Sequence, residues 1–246
     1  MEKECKFLLT AGMLDEYDKL RPYSILDLFQ EMACRHADEI GVGYHKMLSD
    51  GYNWVITKNK FEIHKYPEAS ESVLVYTWPI APGRADFDRA YLIKTLNGEI
   101  LVEGKSKWCV IDSQTHKIIR SDKIKFNGEY INKESNIEFD RSTILKQNEL
   151  DFLFDYVVTP SMLDHYHHMN NAKYAEVVYD ALHLQSNEEI KTLQINNFNE
   201  IKCGEIIKVF KTQINDTIYV YGYTKEQNEY NKLAFNSIIQ LKKSLK

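Results

Sequence analysis

The sequence predicts an α+β protein built from two fused units, each a helix wrapped by an antiparallel β-sheet. Three observations carry this: an internal repeat, the same order of elements after each copy of it, and a composition suited to strands. The repeat sets FLLTAGMLDEY, residues 7–17, over YVVTPSMLDHY, residues 156–166, with five of eleven positions identical (Thr, Met, Leu, Asp and Tyr). Most other positions pair apolar with apolar or small with small.

The segments after the two copies are alike in type. Ile25, Leu28, Phe29 and Met32 recur at helical spacing in the first half, as do Tyr174, Val177, Val178, Ala181 and Leu182 in the second. Strand-like runs bounded by turn residues come next. In the first half they are NWVITKNKFEIHKY, ESVLVYTWPI, DRAYLIKTL and EILVEGKSKWCVID, with Asn97-Gly98 marking a hairpin. In the second they are TLQINNFNEI, EIIKVFKTQI, DTIYVYGYTK and KLAFNSIIQLKK. Strands gathered behind one helix suggest a sheet that wraps it, and a duplicated unit of this kind is what a double hot-dog fold would look like. The expected organisation is an N-terminal unit over residues 1–120, a polar linker over 121–148 and a C-terminal unit over 149–246.

Composition agrees and narrows the function. Apolar residues make up 43% and aromatics 12% of the 246 residues, with 16 Tyr and 11 Phe, which suits packed strands. Ten Gly and five Pro argue against a disordered or fibrous chain. A net charge of −5 gives no reason to expect nucleic-acid binding. Lys242, Lys243 and Lys246 read as a solvated tail. The charged start MEKECKF and the lack of a long apolar run predict a cytoplasmic protein with no membrane span. Cys5, Cys34, Cys109 and Cys203 show no metal or disulfide spacing and are expected to be reduced and mostly buried.

The two copies differ where chemistry would sit. DEYDKLRPY in the first becomes DHYHHMNNA in the second, so that Lys19 faces His168, Arg21 faces Asn170 and Pro22 faces Asn171. A carboxylate, three imidazoles and two amides thus gather just before a helix. Unpaired N–H groups of a helix start can hold a carbonyl oxygen that is becoming an anion. Asn170 or Asn171 would cap the helix. A neutral His168 can relay protons near pH 7, and Asp164 can act as base or nucleophile. His165 and His167 read as surface histidines. A metal site is disfavoured, because ligands at this spacing in a tight turn point apart.

The segment TPSMLDHYHHMNNAKY resembles the active-site signature of acyl-ACP thioesterases, D-x-N-x-H-x-N-N-x-K-Y, through Asp164, His168, Asn170, Asn171, Lys173 and Tyr174. LFQEMACRHADEIGV, GYNWVITKNKFEIHKYP and GKSKWCVID resemble that family's first helix and two of its strands, so the likeness covers nearly the whole chain. It implies two fused hot-dog units, one active site in the second, hydrolysis without metal or cofactor, and acyl carrier protein (ACP) as partner. It also implies that Glu200, 32 residues after His168 and expected on a strand, joins the site. Two positions depart from the pattern. Tyr166 stands where the family has Asn, either as a packing residue or as a lost catalytic amide that His167 or Asn170 replaces. Ile201 stands where a Cys often follows the Glu; Cys203 should share Ile201's face on a regular strand, so a Cys–His nucleophile is not supported.

The resemblance places the acyl pocket in the first unit, where Leu28, Met32, Trp54, Ile56, Trp78 and Trp108 are candidate lining residues, with Asn171 a further substrate contact. Lys58, Lys60, Lys65, Arg84, Arg89, Lys105 and Lys107 are candidates for a face toward acidic ACP, although solvated strand surface explains each as well. The rival functions are acyl-CoA hydrolysis, acyl binding without turnover and, last, dehydration. Either a monomer or a homodimer fits two pre-paired units.

Overall fold

A computed structural model describes residues 1–131, 133–227 and 229–243, and the chain divides into two compact units, Met1–Glu138 and Phe139–Lys246. In unit 1, β1 (Lys3–Leu8) leads into α1 (Pro22–Glu39). A short α2 (Tyr44–Ser49), which the sequence did not announce, precedes β2 (Tyr52–Ile63), β3 (Ser72–Pro79), β4 (Phe87–Thr95), β5 (Ile100–Asp112) and the two-residue β6 (Ile118–Ile119). In unit 2, β7 (Asp151–Val157) leads into α3 (Asn171–Leu182) and then β8 (Glu188–Asn197), β9 (Ile206–Ile214), β10 (Thr217–Glu226) and β11 (Glu229–Lys243).

The duplication is visible in the strand order. Unit 1 runs β1-β3-β4-β5-β2, with β6 beside β5, and unit 2 runs β7-β9-β10-β11-β8. Counting strands from each unit's start gives the same order, first-third-fourth-fifth-second, and the pairings within each unit are antiparallel. Hairpins join each unit's last three strands; Gly98 takes φ +90° in the predicted Asn97-Gly98 turn between β4 and β5.

Each helix lies on its sheet by the face its apolar spacing defines. Ile25, Leu28, Phe29 and Met32 of α1 are buried, as are Tyr174, Val177, Val178, Ala181 and Leu182 of α3. In unit 1 the close approach is at Phe29, whose ring stacks on Tyr91 of β4 at 4.3 Å. Gly104 of β5 is the cross-strand neighbour of Tyr91. A Cβ added there would fall 2.1 Å from the Phe29 ring, so glycine makes the hollow into which the helix settles.

The 121–148 stretch is no loose spacer. Ile124 and Ile137 are buried, and the carbonyls of Lys133 and Glu138 accept hydrogen bonds from Trp78 Nε1 (2.8 Å) and Lys60 Nζ (2.7 Å). From Phe139 the chain belongs to unit 2, where buried amides hold it. Gln194 exchanges hydrogen bonds with the Asp140 backbone and donates to Asn196, Asn196 donates to Asn236, and Asn236 donates to the Thr143 carbonyl. An unbroken chain of donors and acceptors lets those polar groups be buried.

Two expectations about exposure need correction, for Arg89 and for the cysteines. Arg89 is not on a basic face: it is 9% exposed, inside unit 1, where its Nη1 donates to His36 Nδ1 (3.0 Å) and Thr77 Oγ1 (3.2 Å). It lies on the same side of β4 as Phe87, Tyr91 and Ile93, which alternation turns inward. Lys65, Lys105 and Lys107 sit beside acidic partners, Glu99, Asp88 and Asp86. None of the four free cysteines is buried: Cys34 and Cys203 are exposed, and Cys5 and Cys109 are intermediate. Lys242 and Lys243 close β11, with Lys242 3.7 Å from Glu189, and Lys246 lies outside the described residues.

Two outcomes are expected. Gly104→Val forces Phe29 out of its hollow and lowers unfolding free energy by about 1–3 kcal/mol. Gly12→Ala, where a Cβ meets nothing within 4 Å, leaves it nearly unchanged; urea midpoints followed by circular dichroism compare the two. The second concerns His36, held near pKa 4 by burial and then by the Arg89 charge. Between that value and the 6.5 of an unfolded His the unfolded chain binds the extra proton, so stability drops as pH falls from 7 to 4, by at most about 3 kcal/mol. The difference in stability between the parent and His36→Gln, measured across that window, isolates this contribution.

Candidate active site

The segment before each helix folds on its aspartate. In unit 2, Asp164 Oδ1 accepts hydrogen bonds from the backbone N–H of Tyr166 (2.8 Å) and, at 3.4 Å, of His168. The Asp164 N–H donates to the His168 carbonyl, and the His167 N–H to that of Asp164. His167 takes φ +63° at the tip. Unit 1 repeats this arrangement with Asp15, Tyr17, Lys19 and Asp18, the last at φ +59°. The Asp common to both copies therefore has a structural reason: a side chain that pairs with backbone two and four residues on builds the turn.

The helix starts differ, and the difference is chemical. Arg21 precedes α1 without a side-chain cap, and Pro22, at its first turn, has no N–H. Asn170 caps α3, its Oδ1 accepting from the Ala172 N–H at 2.9 Å. The Asn170 N–H is committed to the Met162 carbonyl, and the Lys173 N–H to that of Asn170. Among the described residues none accepts from the Asn171 N–H, so the first residue of α3 carries a donor that Pro22, at the matching position of α1, lacks. The Asn171 side chain accepts from Asn197 Nδ2 at 3.0 Å, which steadies this first residue of the helix against the end of β8.

His168 and Glu200 meet. His168 Nε2 lies 3.3 Å from Glu200 Oε2, with the side chains 25% and 45% exposed. Glu200 is not on a strand, however: it lies three residues beyond β8, just past a bend at Asn199. The N–H groups of Phe198 and Asn199 both donate to the Ala234 carbonyl, and the Asn199 amide donates to that of Leu233. That grip turns the chain out of β8. The turned chain then bridges back, the Met169 N–H donating to the Ile201 carbonyl at 2.8 Å and His168 pairing with Lys202. Ile201 is buried while Cys203 sits exposed in the next turn, so they do not share a face as a regular strand would require.

Tyr174, on the first turns of α3, is 4% exposed and meets Phe235 edge to face at 5.3 Å. Burial raises its phenol well above the usual value, and the charges of Glu200, Asp164 and Glu205 push the same way. The tyrosine is therefore a neutral wall beside the two carboxylates. Tyr166 gives its N–H to Asp164, and its ring lies against that of exposed His165 at 4.7 Å. Lys173 pairs with Glu176 at 2.7 Å.

Of the substrate-contact candidates in unit 1, Met32 is fully buried on α1. Trp54 packs edge-on against Phe87 and Trp108, at 5.0 and 6.2 Å, and its Nε1 donates to the Val42 carbonyl. Trp108 Nε1 donates to Ser106 Oγ. Met32 belongs to the buried core of unit 1, while Trp54 and Trp108 are partly buried and pack against it. Among the described residues no set of three or more His, Cys, Asp or Glu could hold a metal ion, and no helix is long and apolar enough to cross a membrane.

Two family models together match most of this chain. Residues 3–124 match the acyl-ACP thioesterase N-terminal domain and residues 145–243 the acyl-ACP thioesterase C-terminal domain. The chain belongs to the acyl-ACP thioesterase family. It is similar to the chloroplastic oleoyl-acyl carrier protein thioesterase 2 of Arabidopsis thaliana, 24% identical over 251 residues that cover 89% of this chain and 66% of the relative. An acyl-ACP thioesterase structure from Bacteroides thetaiotaomicron superposes with a TM-score of 0.85 at 19% identity, covering 98% of both chains. The 12:0-ACP thioesterase of Umbellularia californica gives 0.86 at 16%, covering 99% of this chain and 98% of that one. The fold is thus the double hot-dog of acyl-ACP thioesterases. The chain spans about two thirds or less of the length of the curated thioesterases it matches.

The turn predicts a substitution pattern. Asp164→Asn and Asp15→Asn keep an oxygen for the same N–H groups and change stability little. Asp164→Ala and Asp15→Ala leave those groups unpaired and cost about 1–3 kcal/mol each. Asn170→Ala removes the cap of α3 and costs about 1 kcal/mol. Thermal midpoints of the five variants separate these classes.

Proposed function

We propose that this acyl-ACP thioesterase family member hydrolyses the thioester of fatty acyl-ACP to free fatty acid and holo-ACP, with the reacting groups in unit 2. The observation that carries the reading is the contact of His168 Nε2 with Glu200 Oε2, 3.3 Å apart, beside the turn that holds Asp164. Glu200 orients the imidazole, and His168 moves the proton. Asp164 has one oxygen engaged by the turn and the other available for the reaction. The Asn171 N–H stands ready at the positive end of α3 for the oxygen that becomes an anion.

In the direct route Asp164 or His168 takes a proton from water, the hydroxide adds to the carbonyl carbon, and the C–S bond breaks as the thiolate is protonated. In the covalent route the free oxygen of Asp164 attacks instead, the thiolate leaves, and water opens the resulting anhydride. Single turnover in ¹⁸O-water separates them, because only the second can leave label in the Asp164 carboxylate. Neither route requires a metal. The ACP partner is supported by the family and by the names of the relatives; the pantetheine arm that ACP and CoA share keeps acyl-CoA as the second substrate to test.

Thiol release from C8 to C18 acyl-ACP and acyl-CoA is the direct test. The parent should cleave acyl-ACP in preference, while His168→Ala and Asp164→Asn lose on the order of 10²–10⁴-fold in kcat. Asp15→Asn, the same change in the copy without a histidine, should keep parental activity. Parental rates in Asp164→Asn would defeat the catalytic assignment. No turnover of any thioester by the parent would make the chain an acyl-binding member of the fold.

A further inference from the structure

A second duplicated segment follows the strand behind each helix, and hydrogen bonds mark it where residue identity does not. In unit 1 the N–H groups of His64 and Lys65 both donate to the Leu101 carbonyl; in unit 2 those of Phe198 and Asn199 both donate to that of Ala234. The next turn also closes the same way twice. The Glu71 N–H donates to the Glu68 carbonyl and the Glu68 N–H to the Glu71 carboxylate, and Glu205 and Lys202 repeat both bonds. The Glu71 and Glu205 carbonyls then accept from Leu9 and Val158, while Ser70 and Gly204 take φ +62° and +82°. The pairs within this segment stand at one constant offset, which sets Ile63 against Asn197 and Tyr66 against Glu200.

This register uncovers a paired exchange. Pro22 and Asn171 each open their helix, and Ile63 and Asn197 each close the strand behind it. In unit 1 both residues are apolar and buried. In unit 2 both are amides, and Asn197 Nδ2 donates to Asn171 Oδ1 at 3.0 Å. Replacing a buried Ile by Asn gives up apolar burial for a hydrogen bond of modest net worth. Unit 1 completes the same fold with Pro and Ile, so folding alone does not call for the amide pair.

The bond also fixes how the Asn171 amide is turned. With Oδ1 held by Asn197, the remaining polar group is Nδ2, which only donates. Among the described residues nothing accepts from Nδ2, just as nothing accepts from the Asn171 N–H. The side chain is half-buried. Asn171 lies three residues after His168, and Asn197 lies three residues before Glu200, the two groups that meet at 3.3 Å. Donors without an acceptor therefore stand beside the groups proposed to react, where negative charge would develop on a carbonyl oxygen.

We propose that Asn197 is a positioning residue for the hydrolysis. It holds Asn171 Oδ1 and so presents Asn171 Nδ2, beside the N–H of the same residue, to the thioester carbonyl oxygen as it becomes an anion. This role rests on the hydrolytic reading of unit 2.

Three variants test it in thiol release from dodecanoyl-ACP, with His168→Ala beside them. Asn171→Ala removes the amide and keeps the N–H. Asn197→Asp offers only acceptors, so the Asn171 amide turns Nδ2 to the new carboxylate and its oxygen to the substrate. Asn197→Ile installs the residue of unit 1 and leaves the Asn171 amide unheld. The first two are expected to lower kcat on the order of 10²-fold and the third about tenfold, with KM within about twofold, because the bond is made in the transition state. Adding Asn197→Ile to Asn171→Ala is expected to change kcat less than about twofold, since Asn197 acts through Asn171.

Parental kcat in both Asn197 variants, a loss carried by KM alone, or losses that multiply in the double variant overturn the role. A thermal midpoint lowered by more than about 5 °C in both Asn197 variants assigns the amide to the fold and also overturns it. No thiol release by the parent, or parental rates in His168→Ala, removes the hydrolytic reading and this role with it. Parental Asn197 variants beside an inactive His168→Ala remove this role alone.

Discussion

The Asp164 carboxylate organises the site before it does any chemistry. Its Oδ1 holds the N–H groups of Tyr166 and His168, which closes the turn and brings the chain back so that Asn170 can reach the Met162 carbonyl and start α3. The helix direction, the position of the unpartnered Asn171 N–H and the bridge from His168 to Lys202 all depend on that closure. Unit 1 makes the same turn with Asp15 but has Lys19 and Pro22 where unit 2 has His168 and Asn171. Retention of the aspartate in both copies is therefore evidence of architecture. The second copy becomes chemical through the company the turn keeps: an imidazole in place of Lys19, an N–H in place of Pro22 and, just past a bend, a carboxylate that the first copy's motif does not supply.

That contrast explains how one duplicated unit can hold two roles. A turn that needs its aspartate for folding cannot easily lose it, so the carboxylate proposed to react comes with the scaffold. The remaining changes lie on exposed or half-exposed positions of the turn, where substitution disturbs little packing. Stability and chemistry thus share Asp164 and separate everywhere else, and for this reason an Asn there, which keeps the turn, is more informative than an Ala.

Much of this is legible in the sequence because it is local. Helical spacing marks α1 and α3, alternation marks the long strands, Asn97-Gly98 marks a hairpin, and the repeat exposes the duplication. Asn170 as the cap and Glu200 as a neighbour of His168 are also within reach. Features decided by long-range contact are not. The bend before Glu200 depends on the carbonyls of Leu233 and Ala234, more than thirty residues away. The six-residue α2 is too short for periodicity to register. Arg89 does carry a signal, standing in phase with Phe87, Tyr91 and Ile93 on an inward row; a strand arginine reads as surface because most are.

The cost of that inward arginine bears on what unit 1 is for. Its helix is seated by Phe29 in the hollow over Gly104, and its core is otherwise well supplied with Ile, Val and Phe, so packing gives no reason to admit a cation. A leucine or methionine at position 89 would fill similar space without desolvating a charge, and such replacements are often neutral or stabilising. Unit 2 buries its polar residues under the opposite rule, each amide of Gln194, Asn196 and Asn236 meeting the next. The same fold therefore joins its buried amides in one copy and sets a cation among neutral acceptors in the other.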